Sequence, residues 1–381
     1  MHNPRLSVSL PYWQDRDPLD ALLVAEAADK LGFDRLWIGE MATFDAFALA
    51  TAIGQAPGRI PLCIGPLAVA VRSPATIAMG VASVAALTGR PVDIALGTSS
   101  TVVVRDWHGR ERQRTAVHLE ESARIVRRLL DGEKADFDGT AERIRGYRLR
   151  LPGLAVAKAE SGVPPATSAG EQRVGTVPSE SAQVPSAIPM SAGYPVVSLP
   201  SEPETAVPRY EVVVAAFGER ALAAAARTAD RVVLNLVTPA QVARCASAVK
   251  EFAAEAGRPV PAISVWVTAA ADPSAEMLTT VRRGVVGYLR APGYDAMFTE
   301  AGFGDVVRLA QQGGHPREVL AAIPDELAAT VGMFGDAATL AARLSAYRAA
   351  GADEIVVVPV TSAEDPAAYR TLQTLARIDH G

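Results

Sequence analysis

Residues 62–97, LCIGPLAVAVRSPATIAMGVASVAALTGRPVDIALG, decide the fold. An apolar strand, Leu62–Gly65, gives way to Ser73-Pro74, a helix cap followed by a proline in the first turn. Ile77, Met79, Val84 and Leu87 then carry a helical apolar face, and a second strand follows at Val92–Leu96. The same alternation of short strand and Ala-rich helix recurs about eight times along the chain. The other strands are expected at Arg5–Leu10, Arg35–Gly39, Val212–Ala216, Val232–Leu236, Ile263–Thr268 and Ile355–Pro359. Most are continuous Val, Ile and Leu runs, as strands buried on both faces of a parallel sheet should be. Eight such units predict a (β/α)8 TIM barrel, in which chemistry sits at the C-terminal ends of the strands.

Further helix signals support this reading. Asp17 and Pro18 open a helix with Leu19, Leu22, Leu23 and Leu31 on one stripe, and Gly32 ends it. Asp336 opens another, with Leu340, Leu344 and Tyr347 on one face and Gly351 as the stop. Each apolar stripe is expected to lie against the sheet.

At 381 residues the chain exceeds the usual barrel core, so either two domains or one barrel with an insertion is expected. The cadence breaks between Gly153 and Pro208, which hold nine of the 27 prolines and a single aromatic, Tyr194. Such a segment buries too little apolar surface to offset its ordering entropy. We read 1–381 as one barrel domain interrupted at 153–208, between the fourth and fifth units. The insertion is either a lid over the mouth or a plain low-complexity insert, and its composition favours the second. Just before it, Asp136–Asp138 and Tyr147–Leu151 form a small hairpin in this reading. A second excursion, Ser274–Thr330, separates the seventh and eighth strands, either as a wall of the substrate pocket or as helices packed outside.

The net charge is −5 with both signs interspersed, and no basic stripe points to nucleic acid. The longest apolar stretch, around Ile60–Val71, is too short to span a bilayer, and the N-terminus lacks a signal-peptide layout. Cys63 and Cys245 belong to no paired motif and read as buried small residues in a reducing compartment. These features together predict a cytoplasmic protein with a small-molecule substrate and no membrane or nucleic-acid partner. Nucleotide-binding glycine signatures, a Walker lysine loop, His-Glu-x-x-His and Gly-x-Ser-x-Gly are absent from the sequence, and no two of the five histidines have metal-ligand spacing. The hard chemistry is therefore expected of an organic cofactor, with no metal.

Residues just after the strands supply the constellation. Glu40 follows the second strand and can donate or accept a proton if desolvation raises its pKa, or simply hydrogen-bond nearby amides. Gly65-Pro66 ends the third strand, where glycine admits close approach of a ligand and the bond to proline can be cis or trans. Thr98-Ser99-Ser100 follows the fourth strand with amides and hydroxyls suited to a phosphate or a ring edge. In the same loop, His108 is an acid/base or cofactor-ligand candidate, or a cap for the next helix. Ala216-Phe217-Gly218 turns from the fifth strand into a helix N-terminus, an arrangement that binds anions. Phe44 and Trp107 are placed to shape a substrate pocket.

Several of these segments resemble the bacterial luciferase-like family of flavin and deazaflavin enzymes. The block Ala25–Glu40, with Leu31-Gly32-Phe33-Asp34 and Leu36-Trp37, is the most specific; Arg72-Ser73-Pro74-Ala75, Ala95-Leu96-Gly97, Trp107-His108-Gly109 and Gly351-Ala352-Asp353-Glu354 are also similar. The pattern is closest to the branch that uses coenzyme F420, a 5-deazaflavin. The resemblance implies a ring in the barrel mouth backed by a cis-peptide bulge at Gly65-Pro66. It implies phosphate turns at Thr98–Ser100 and Ala216–Gly218, and Glu40 facing the reacting carbon. It also implies hydride transfer to or from a small organic substrate, and a homodimer. The alternatives are an FMN-dependent monooxygenase and a cofactor-binding barrel without catalysis. Two positions depart from the pattern: Met41 stands where many relatives have histidine, and Ser100 where sugar-phosphate-oxidising relatives have glutamate.

Overall fold

In the computed structural model, which describes residues 4–13, 15–40, 42–151, 210–216 and 218–380, eight parallel strands close into a ring. They are β1 (Arg5–Ser9), β2 (Leu36–Ile38), β3 (Leu62–Ala68), β4 (Val92–Gly97), β5 (Val212–Ala215), β6 (Arg231–Asn235), β7 (Ala262–Ala271) and β8 (Glu354–Pro359). Each strand pairs with the next, and β8 pairs with both β7 and β1 to seal the barrel. The helices that follow are α1 (Asp20–Lys30), α2 (Ala46–Gln55), α3 (Pro74–Thr88), α4 (Thr115–Leu130), α5 (Glu219–Thr228), α6 (Pro239–Glu255), α7 (Ala337–Ala349) and α8 (Tyr369–His380). This is the expected (β/α)8 barrel. The expected insertion at 153–208 lies outside the described residues.

The strands alternate more than their sequences suggest. One set of residues, including Val8, Ile38, Ile64, Ile94, Val214 and Val357, joins the main core under the helices. The other set faces the barrel axis, where Trp37, Cys63, Ala95, Val213, Val233 and Val356 form a separate cluster beside Ala215 and Trp266. Both rows are apolar at mid-barrel, and that is why the strands read as continuous hydrophobic runs.

Nearer the strand starts the interior turns ionic. Arg35 lies 3.0 Å from Asp93 and 3.1 Å from Glu211, and Arg231 lies 2.8 Å from Glu211. Ser7 and Ser264 each donate to Glu354 at 2.6 Å. Burial pushes the Asp93 carboxyl up to about 6 despite the Arg35 charge and the Glu211 amide that it accepts. Burial also acts on Glu211, but the hydrogen bond and charge of Arg231, with Arg35 and Arg5, outweigh it and hold that carboxyl at about 2.

Helix termini follow the expected devices. Ser73 accepts the Thr76 amide at 3.3 Å with Pro74 at the first position, and Asp336 accepts the Thr339 amide at 2.8 Å. Asp17 accepts the Leu19 amide at 2.9 Å in the turn that leads into α1. Two stripes are corrected. In α1 the buried residues are Asp20, Ala21, Val24, Ala25, Ala27 and Ala28, while Leu19, Leu22 and Leu23 face solvent. In α3, Ile77 and Val84 are buried with Ala78, Val81 and Ala82, while Met79 and Leu87 are exposed. Short alanine side chains let these helices approach the sheet closely, and leucines on the same face would hold them away. In α7 Leu340, Leu344 and Tyr347 are all buried, as expected.

The hairpin pairs Ala135–Asp138 with Arg143–Tyr147, so its second arm starts earlier than expected. The turn is tight, with the Gly139 amide donating to Glu142 O at 2.9 Å. Glu121 of α4 accepts the amides of Thr140, Ala141 and Glu142 at 2.8 Å each. The excursion after β7 forms five α-helices and one π-helical segment, Thr299–Phe303, between Ala275 and Val331. Their own apolar cluster, with Leu289, Phe298, Val306 and Leu327, includes Leu236 just beyond β6. β7 outruns its neighbours, and its end pairs with an additional strand at Met333–Gly335.

Candidate active site

At the C-terminal ends of β2 to β5, the residues next in the inward-facing alternation are small: Gly39, Gly65, Gly97 and Ala215. A Cβ on Gly39 would meet the Tyr12 ring at 3.2 Å. Gly65 has φ +123°, and a Cβ there would lie 2.2 Å from Ala95 O. Only glycine fits that position without displacing the backbone of β4. The β3–β4 register shifts between Ile64 and Leu67, so a bulge carries Pro66, and the Gly65-Pro66 bond is cis. A Cβ on Gly97 would lie 3.1 Å from Pro66 Cβ and 3.7 Å from Ala215 Cβ. The ends of β3, β4 and β5 therefore converge on one spot.

Glu40 stands at the rim beside them. Arg72, in the loop that leads to α3, donates from Nε to Glu40 Oε2 at 2.9 Å and from Nη2 to Oε1. The same Nη2 reaches Asp45, and the guanidinium lies 5.1 Å from the centre of the Phe47 ring. The Ala46 amide, at the start of α2, donates to Glu40 Oε1 at 3.3 Å. These partners raise the Arg72 pKa, the hydrogen bond to Glu40 most of all. Tyr12, after β1, donates its hydroxyl to Gly39 O; burial and the nearby Glu40 push its pKa upward although that bond opposes the shift.

In the loop after β4, Ser99 adopts φ +53° and the Ser100 hydroxyl accepts the Val103 amide at 3.2 Å, opening a helical turn at Val102–Trp107. Arg112 returns across this loop, donating to Ser99 O at 3.0 Å and to Thr98 Oγ1 at 3.2 Å. His108 ends the turn and is exposed, as is Trp107, and no hydrogen bond among the described residues joins His108 to Glu40. After β5, the Ala216 amide donates to Val233 O at 3.3 Å, and Gly218 begins α5 without a side-chain cap. Phe217 lies outside the described residues. Phe44 is half-buried against the main core.

Opposite these loops, Asn235 ends β6 and donates to the Tyr294 hydroxyl at 3.2 Å, and Tyr294 packs edge-on against Tyr288 at 4.8 Å. Trp266 Nε1 and Thr361 Oγ1 are buried without a hydrogen-bond partner among the described residues. Tyr12 and Asn235 are missed by the sequence reading, although their place at the ends of β1 and β6 is a signal that could find them. Arg72 and Arg112 carry no such signal, because their roles depend on partners distant in sequence.

Among the described residues, no cluster of His, Cys, Asp and Glu is arranged for a metal ion, and no helix is long and apolar enough to cross a membrane. A cleft of about 400 Å³ lies among Asp295, Thr299, Glu300, Val307, Arg308 and Gln311. It includes no strand-end residue.

Comparison with solved structures gives full-length matches at low identity. The coenzyme F420-dependent tetrahydromethanopterin reductase of Methanopyrus kandleri superposes with a TM-score of 0.71 at 14% identity, covering 98% of each chain. An F420-dependent secondary alcohol dehydrogenase bound to an F420-acetone adduct gives 0.69 at 16%, covering 99% of this chain and 98% of that one. The oxygenating constituent of 3,6-diketocamphane monooxygenase from Pseudomonas putida, in complex with FMN, gives 0.62 at 16%, covering 98% and 97%. A search of curated proteins gives no match. The family model of luciferase-like monooxygenases matches residues 7–172 and 190–354. That match spans most of the barrel and the site residues at its mouth, and the chain belongs to the luciferase-like monooxygenase family.

Proposed function

We propose that the protein is a coenzyme F420-dependent oxidoreductase, moving a hydride between the deazaflavin ring and a small, largely apolar organic substrate. The observation that carries this reading is the crescent of Gly39, Gly65, Gly97 and Ala215 on four adjacent strands, with the β3 bulge at its centre. A planar ring could lie against this surface because it presents backbone and the small side chains of Pro66 and Ala215, with the Tyr12 ring beside Gly39. The reading is also supported by two buried polar atoms, Trp266 Nε1 on β7 and Thr361 Oγ1 after β8, that have no hydrogen-bond partner among the described residues. The two F420-dependent enzymes also superpose better than the FMN-bound monooxygenase, at 0.71 and 0.69 against 0.62.

When bound, the cofactor supplies the ring carbon that gives or takes the hydride. Gly65 and Pro66 would back the ring. The turns Thr98–Ser100 and Ala216–Gly218 would hold its phosphate with amides and hydroxyls. Glu40, oriented by Arg72, is the group we assign to moving the single proton at the substrate oxygen, and we leave His108 as an auxiliary candidate at the loop end. Phe44, Trp107 and the excursion after β7 would exclude water and set substrate shape.

FMN-dependent monooxygenation stands as the second reading, favoured by the family that the chain matches. Spectroscopic titration with coenzyme F420 and with FMN tests both. Tight F420 binding without FMN binding supports the proposal, the reverse supports the second reading, and binding of neither overturns both.

A further inference from the structure

Near the ends of β5 to β8, the residues that stay partly exposed are those that face the barrel axis. Ala215, Asn235, Trp266, Thr268 and Val358 are half-buried. Val214, Leu234, Val267 and Val357, which alternate with them under the helices, are fully buried. The space that exposes the first set therefore lies inside the barrel, across the axis from Gly39, Gly65 and Gly97. Trp266 forms its floor, because the next inward residue below it, Ser264, already bonds Glu354 in the ionic layer. Two residues beyond Thr268, Ala270 is buried in a cluster with Val281, Val360 and Trp13, which closes the space from above.

One polar group in this niche has no partner. Asn235 donates to the Tyr294 hydroxyl. On the inward rows below, Ser7 and Ser264 donate to Glu354, and Ser9 donates to Leu10 O. Thr268 Oγ1 has no hydrogen bond among the described residues. On a helix a threonine satisfies its hydroxyl on the carbonyl one turn back, as Thr228 and Thr279 do, and a strand offers no such acceptor. The Thr268 hydroxyl can both donate and accept, and it faces a space with apolar walls. The inward residues at the ends of β5 to β8 carry no charge, so an ionised group there would lose its hydration without a counter-charge.

We propose that Thr268 is a specificity-determining residue, whose hydroxyl receives an uncharged hydroxyl or carbonyl oxygen on a compact apolar substrate. The proposal rests on the cofactor reading above, which puts the ring on the opposite wall, and it leaves proton movement to Glu40.

The test compares wild type, Thr268→Val and Thr268→Ser by ligand-observed NMR titration with cyclohexanol, cyclohexanone and their oxygen-free counterpart methylenecyclohexane. Coenzyme F420 and FMN are titrated in parallel, and thermal melts check folding. Thr268→Val keeps the branched shape and should weaken the two oxygenated probes roughly 3–10-fold, leaving methylenecyclohexane and cofactor affinity unchanged. Thr268→Ser should keep most of the affinity for the oxygenated probes, because it retains the hydroxyl. A wild type that binds no oxygenated probe overturns the proposal, as does equal affinity of wild type and Thr268→Val for them. Equal loss for all three probes, or a parallel loss of cofactor affinity, overturns it as well, since either would mark a structural or cofactor-contacting role. If the wild type takes up neither cofactor, the cofactor reading falls, and the probe affinities decide the role of Thr268 separately.

Discussion

Arg72 clasps Glu40 with both arms of its guanidinium, Nε at 2.9 Å from Oε2 and Nη2 on Oε1, and shares Nη2 with Asp45. The acid at the rim of β2 is thereby fixed in direction by a loop that belongs to the next βα unit. Glu40 and Arg72 act as one structural piece, and a change at either alters both.

Arg72→Met should therefore lower turnover by about tenfold or more while costing only about 1 kcal/mol of stability, because the pair is partly exposed to solvent. Arg72→Lys should not restore turnover, since an ammonium cannot meet both oxygens in the same plane. Steady-state kinetics beside a chemical denaturation curve separates the two effects. Turnover that survives Arg72→Met would show that Glu40 needs no such clasp.

Gly65→Ala should destabilise by more than about 2 kcal/mol, combining a positive φ with a clash against a neighbouring strand. Gly97→Ala should cost less stability than Gly65→Ala, because its Cβ would press only on the Pro66 side chain, and under the proposed function it should weaken cofactor affinity more. Melting temperature and ligand titration on the two variants should thus move in opposite proportion.

The pH dependence of stability should carry the signature of Asp93. Burial raises its folded pKa to about 6 from the ordinary 3.8, so the folded state binds that proton more tightly than the unfolded chain. The contribution is complete below about pH 4 and is lost as pH climbs through about 6, up to about 3 kcal/mol in all. Asp93→Asn should remove that downward slope. Glu211 works in the opposite sense: its pKa is depressed to about 2, so its contribution disappears as pH falls from about 4.5 toward 2. Urea denaturation at unit pH steps from 3 to 7, on wild type and Asp93→Asn, reads both.

Thr361→Val should stabilise the ligand-free protein by about 1 kcal/mol, since it removes a buried hydroxyl that has no partner among the described residues and keeps the branched shape. A loss of stability in urea would mean that the hydroxyl is satisfied after all.

How much of this is legible in sequence varies with distance along the chain. The barrel strands are legible because each βα unit encodes its own strand, cap and stop within about 40 residues, as Leu62–Gly97 does. The hairpin is legible as well, though its arm is misplaced, because Glu121 draws three turn amides toward α4 and shortens the loop. The α1 stripe is misjudged because hydrophobicity favours leucine, whereas close packing on a sheet favours Ala21, Ala25 and Ala28. At the site, glycines at strand ends mark where a ligand can approach. Partners such as Arg72 for Glu40 are 32 positions apart and become neighbours only after β2 and β3 pair.

The interior below the strand ends is closed by Trp37 and Trp266, packed edge to face at 5.7 Å, and beneath them by the Arg35–Asp93–Glu211–Arg231–Glu354 lattice. A vessel sealed this way is a cul-de-sac. Under the proposed function, cofactor and substrate would both have to arrive from the side of the strand ends, and whichever settled deeper would depart only after the shallower one had gone.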